Sequence, residues 1–147
     1  MKVAGTEINL QHRALEIYLS GCKGPHCPGC HNPELHSFDV GTDCDPEELS
    51  KLVKKLKELK DADLVDIVWI LGGEPQDQNV NALTALLKPL SELAPIMLWT
   101  HYDSVNPQLL PYLSFAKLGP YVEGGEPYVE QAFGIRLANR EQRVVIC

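Results

Sequence analysis

Three cysteines fall within nine residues, in the string Cys22-Lys-Gly-Pro-His-Cys27-Pro-Gly-Cys30. Thiolates are soft ligands, and the glycines and prolines between them permit the turns that aim three sulfurs at one centre. Zinc and an iron–sulfur cluster are the two candidates. Zinc would need a fourth ligand from His26, His31, His36 or Cys44 and would serve as a structural staple. Three cysteines on an iron–sulfur cube leave one iron without a protein ligand, and an open position of that kind lets a metal bind a substrate directly. A second string, Gly72-Gly73-Glu74-Pro75, closes an apolar run. Ligands in α/β folds bind at the carboxyl ends of strands, where glycines let backbone approach closely and a carboxylate can accept hydrogen bonds from an ammonium group. Alone the string marks a turn; beside the cysteines it points to a cofactor site.

These residues need elements to carry them. Ala14–Ser20 mixes apolar and β-branched residues and runs into Gly21, which predicts a strand feeding a loop from Gly21 to about Thr42 that holds the cysteines. Asp45-Pro46-Glu47-Glu48 has the cap, the first-turn proline and the acidic residues of a helix start. Leu49, Leu52, Val53, Leu56 and Leu59 follow at helical spacing. Val65–Leu71 is nearly all apolar, as in a parallel strand covered on both faces. Val80, Leu83, Leu86, Leu87, Leu90 and Leu93 predict a second helix that Pro89 should kink or end. Pro95–Thr100 reads as a further buried strand, Asn106-Pro107 as the start of a third helix through about Leu113, Ala116–Val122 as a fourth strand and Arg143–Cys147 as a last one. Alternating strands and helices predict an α/β domain with a mostly parallel sheet. A complete (β/α) barrel typically takes about 250 residues, so 147 suffice for a partial barrel only, as a single domain over residues 1–147.

The cysteine loop followed some forty residues later by Gly72-Gly73-Glu74-Pro75 resembles the radical S-adenosylmethionine enzymes. Within them, Cys27-Pro-Gly-Cys30-His31-Asn32-Pro33-Glu34 is similar to the small activating proteins of anaerobic ribonucleoside-triphosphate reductase. The likeness continues at Leu71–Pro75, Trp99–Tyr102, Gly119–Glu123 and Asn139–Val145, and so covers most of the chain. It implies a small radical-S-adenosylmethionine core in which Cys22, Cys27 and Cys30 ligate a [4Fe–4S] cluster and Gly72, Gly73, Glu74 and Pro75 contact the methionyl amino group of S-adenosylmethionine. The implied activity is reductive cleavage of that cofactor to a 5'-deoxyadenosyl radical, which takes a hydrogen from a glycine of the partner reductase. A flavodoxin or ferredoxin would supply the electron. The family's usual spacing has three residues between its first two cysteines; here there are four, Lys23 to His26, which a wider turn absorbs. Asn139–Arg143 also departs from the family's ending, so no ligand role passes to single residues there. Two other readings stand beside this one: the same radical chemistry on another peptide or a small molecule, and a zinc-stabilised binding module without turnover.

Other residues carry less. Thr100, His101 and Tyr102 fall at a strand end, and His101 is a candidate cofactor contact. His31 adjoins the last cysteine, within reach of a cluster or an adenine, with a solvent-facing loop histidine as the plain alternative. The lysines from Lys51 to Lys60 read as a solvated helix face, Cys44 as a free thiol, Cys147 as exposed, and Trp69 and Trp99 as core. Thirteen Lys and Arg against twenty Asp and Glu give a net charge of -7, which supplies no basic field for nucleic acid. No apolar run has the length of a membrane span, and the first residues lack the apolar middle of a signal peptide. Together with clustered rather than spread cysteines, this predicts a cytoplasmic protein.

Overall fold

The computed structural model describes residues 1–147. Its nine strands are β1 (Lys2–Asn9), β2 (Ala14–Leu19), β3 (Thr42–Asp43), β4 (Ile67–Gly72), β5 (Ile96–Trp99), β6 (Phe115–Leu118), β7 (Tyr128–Val129), β8 (Arg136–Leu137) and β9 (Arg143–Ile146). Two helices, α1 (Pro46–Asp61) and α2 (Val80–Ser91), supply the crossovers from β2 to β4 and from β4 to β5. Seven strands form one sheet in the order β3-β1-β2-β4-β5-β6-β9, and β7 with β8 make a separate ribbon. The inner four, β2, β4, β5 and β6, run parallel, while β1, β3 and β9 pair antiparallel at the flanks. The sheet is therefore mixed, with its parallel part at the centre.

Period-two alternation assigns each strand two faces. Leu15, Ile17 and Leu19 of β2, Val68 and Ile70 of β4, and Ile96 and Leu98 of β5 pack against Leu52 and Leu56 of α1 and Leu83, Leu86, Leu87 and Leu90 of α2. Ala14, Ile67, Trp69 and Met97 point the other way and meet Ile135 and Leu137 of the C-terminal segment. The helices thus cover one face only, and the opposite face is closed at one end by the chain's last quarter.

Local chemistry explains the helix limits. The Asp45 carboxylate accepts the Glu48 backbone N–H at 2.8 Å, and the Asn79 side chain accepts those of Asn81 and Ala82. Pro89 is accommodated in the last turn of α2, which ends two residues later, so Leu93 lies beyond the helix. The expected third helix is absent. Asn106 does cap a turn through Gln108, but only Leu110–Tyr112 is helical, as one 3-10 turn. Pro111 has no backbone N–H to donate, so the turns after Asn106 do not join into one continuous helix. The fourth strand stops at Leu118, short of the expected Val122, because Gly119 turns the chain at φ +103°. The hairpin partner β1 was not expected, since its alternation of Val3, Gly5 and Glu7 is too polar to read as a strand. No helix is long and apolar enough to cross a membrane.

Leu87 is fully buried between α2 and the sheet. Leu87→Ala should cost about 2–5 kcal/mol in urea unfolding, whereas Leu10→Ala at the exposed hairpin tip should stay within about 0.5 kcal/mol.

Candidate metal centre

The cysteine loop leaves β2 at its carboxyl end and returns on itself. Gly21 N–H donates to the Leu35 carbonyl at 2.9 Å and Cys22 N–H to the His36 carbonyl at 3.2 Å, which closes the segment into a ring. A 3-10 turn, Pro33–His36, forms the returning limb. The four residues between Cys22 and Cys27 make a compact turn: Gly24–Pro25 is cis, Gly24 has φ +90°, and a ring nitrogen of His26 lies 2.9 Å from the Cys22 carbonyl. The His26 ring stacks on His36 at 3.6 Å.

The Gly72–Pro75 segment lies directly under this ring. Gly73 N–H donates to the Leu19 carbonyl at 2.9 Å and Glu74 N–H to the Gly21 carbonyl at 2.8 Å, continuing the parallel β2–β4 ladder past its last pair. A side chain on Gly73 has no room, since its Cβ would fall 2.4 Å from the Gly21 carbonyl oxygen and 2.6 Å from that of Leu35. The next residues reinforce the contact. Asp77, buried, accepts Lys23 N–H at 2.7 Å and the Tyr102 hydroxyl at 2.6 Å, and the Gln78 amide donates to the Ser20 carbonyl at 2.8 Å. The Asp77 carboxylate pushes the Tyr102 hydroxyl up to about 12.

The two segments share one cavity of about 280 Å³. Cys22, Cys27 and Cys30 line it together with Gly72, Gly73, Glu74 and His101, so every residue expected at the site except Pro75 opens onto one space. Pro75 is buried just behind Glu74. His31 lines the same space. Cys44 instead packs half-buried against the helix-face core, and Cys147 is exposed. A second cavity of about 360 Å³, between β1 and the Pro33–His36 limb, holds none of the cysteines. Size therefore does not mark the site; the donor set does.

Glu74 is not a free acceptor. Its Oε1 takes the Thr100 hydroxyl at 2.6 Å and Gln76 N–H at 3.0 Å, and its Oε2 takes His101 N–H at 2.9 Å with the His101 ring Nδ1 at 3.3 Å. Burial pushes the Glu74 carboxyl up against the opposing pull of these donors. The carboxylate thus ties the end of β4 to the end of β5 and orients the backbone around the cavity. One cavity residue, Lys117, escaped the sequence reading; Trp99, set aside as core, and Tyr121 and Gln142 fall in stretches that carry the resemblance but were given no role of their own. Lys117 had a visible signal, a lone cation within the apolar strand Phe115–Leu118. Burial pushes its ammonium down to about 8, partly offset by Glu74 and Cys27. Trp69 and Trp99 are in ring contact at 4.9 Å, and neither indole N–H has an acceptor.

A family model described as a 4Fe-4S single cluster domain matches residues 12–115, more than two-thirds of the chain. This chain belongs to the 4Fe-4S single cluster domain family. No curated protein and no solved structure matches it. The matched stretch contains all three cysteines of the loop and the Gly72–Pro75 segment, while Lys117, Tyr121 and Gln142 lie beyond it. A [4Fe–4S] cluster is the group such a domain binds, and Cys22, Cys27 and Cys30 are the residues that would hold it here. The donor set fits: three soft thiolates, Cys22, Cys27 and Cys30, line one cavity.

Gly73→Ala must displace the cysteine ring, so iron retained after anaerobic reconstitution should fall several-fold, while Gly5→Ala, which meets nothing within 4 Å, should retain it. Lys117 gives a pH test on the cluster-free protein. Its folded value near 8 lies below the ordinary 10.5, so the unfolded chain binds the extra proton between them and stability rises with pH across that window. The full effect is on the order of 3 kcal/mol, and should appear as the difference between wild type and Lys117→Met in urea unfolding from pH 7 to 10.5.

Proposed function

We propose that this chain is a radical S-adenosylmethionine activating enzyme that raises a glycyl radical on an anaerobic ribonucleoside-triphosphate reductase. The reading takes the protein to be cytoplasmic, its sheet to be part of an incomplete (β/α) barrel, and its electron donor to be a flavodoxin or ferredoxin. One observation carries it: the three cysteines and Gly72–Glu74, more than forty residues apart, line a single cavity at the carboxyl ends of parallel strands. A structural zinc loop has no need of the second segment. The other stretches that bear the resemblance supply the remaining wall, through Trp99, Thr100, His101, Gly119, Tyr121 and Gln142.

A cluster bound here would supply the one-electron reduction that cleaves the sulfonium of S-adenosylmethionine. The chain's own residues do the positioning. Cys22, Cys27 and Cys30 would hold the cluster through their sulfurs, and no fourth cysteine lines the cavity. Gly72 and Gly73 offer backbone without side chains where the methionyl group would lie. Glu74, engaged by Thr100, Gln76 and His101, holds that backbone still rather than meeting the cofactor as a free carboxylate. His101, only about a fifth exposed, presents its ring at the wall.

Anaerobic reconstitution should load about four irons per chain. Dithionite and S-adenosylmethionine should then release methionine and 5'-deoxyadenosine, and Cys27→Ala should release neither. One zinc per chain without cofactor cleavage would overturn the radical reading. A glycyl radical signal in a co-incubated reductase tests the substrate, and cleavage without that signal would redirect the activity to another peptide or a small molecule.

A further inference from the structure

Lys117 is a buried cation with no carboxylate partner. It is 9% exposed, forms no ion pair, and its one hydrogen bond is a long 3.5 Å contact to the Gly119 carbonyl. Its ammonium lies 6.0 Å from the Trp99 ring centre, and the Trp99 indole N–H likewise has no acceptor. An unpaired ammonium is costly to bury, and the cost falls when a compensating negative charge stands nearby. Glu74, the one carboxylate that lines the cavity with it, is already engaged by Thr100, Gln76 and His101. The other groups of potential negative charge that line the cavity with Lys117 are the sulfurs of Cys22, Cys27 and Cys30.

We infer that Lys117 is the buried counter-charge that sets the reduction potential of the cluster held by Cys22, Cys27 and Cys30. Three thiolates leave an oxidised [4Fe–4S] centre with net negative charge, and the one electron taken from an external reductant adds another. A fixed cation in a low-dielectric pocket favours the more negative state, so it makes reduction easier. Trp99 and the Leu71 side chain on the same wall limit the water that would otherwise screen it. Lys117 is in this role a positioning residue of charge and needs no contact with a substrate. The inference rests on the cluster alone and stands apart from the identity of the substrate.

The test is an anaerobic redox titration of the reconstituted full chain, followed by electron paramagnetic resonance of the reduced cluster. At the potential that half-reduces the wild type, Lys117→Met should lower the reduced-to-oxidised ratio about tenfold, and Lys117→Arg should leave it within about twofold. Equal iron and sulfide content and an unchanged line shape would assign the shift to charge and not to ligation. A ratio in Lys117→Met within about twofold of wild type, or an equal fall in Lys117→Arg, would overturn the inference. Should the methionine variant not hold the cluster, Lys117→Gln carries the same measurement with the same two outcomes. Loss of the cluster from both neutral variants, with retention in the arginine one, would also overturn it, since Lys117 would then serve assembly rather than potential.

Discussion

The seam between β2 and β4 governs the rest of this molecule. Two parallel strands end side by side, and where the ladder would stop it continues for two more bonds, Gly73 to Leu19 and Glu74 to Gly21. That continuation requires a glycine, because the carbonyls of Gly21 and Leu35 both crowd the place a Cβ would take. Through this contact the sheet holds the base of a long irregular loop. The loop's own closing bonds, Gly21 to Leu35 and Cys22 to His36, then keep its two limbs together. A Gly/Pro-rich segment is in this way fixed at its root while its three cysteines line the cavity.

Polar groups are distributed around the cavity in two ways. Glu74, Gln76, Asp77 and Gln78 are spent on the protein itself and bind the ends of β2, β4 and β5 into one frame. Lys117, buried, has only the long contact to the Gly119 carbonyl, and the buried indole N–H groups of Trp69 and Trp99 have no acceptor. Buried donors are expensive unless matched, so the first group accounts for rigidity, while Lys117 brings a poorly matched charge to the cavity it lines. The side of the sheet away from the helices owes this inner wall to its cover by the C-terminal segment, where Glu130 accepts three backbone N–H groups and Asn139 caps the turn leading into β9.

Much of this was legible in the chain. Soft ligands at Cys22, Cys27 and Cys30, the double glycine after an apolar run, and the capped starts of α1 and α2 are local signals, because thiolate chemistry, backbone freedom and capping depend on a few neighbouring residues. The alternation that buries β4 on both faces is local too. The weaker readings share a cause. β1 is a strand by virtue of pairing with β2 rather than by its own polar sequence. The stretch after Asn106 has a helix start but a second proline that forbids continuation. Trp99 reads as core until its neighbours place it at the cavity wall.

By itself, then, the sequence determined which atoms could bind a metal and which segments would be regular, since both follow from side-chain chemistry and short-range periodicity. Only the tertiary structure decided that the cysteines and Gly72–Glu74 share one space, that Glu74 is spent within the protein, and that Lys117 lines that space without a carboxylate partner. Those outcomes depend on strand order and on the loss of water around particular groups, and neither is written in the spacing of residues along a chain.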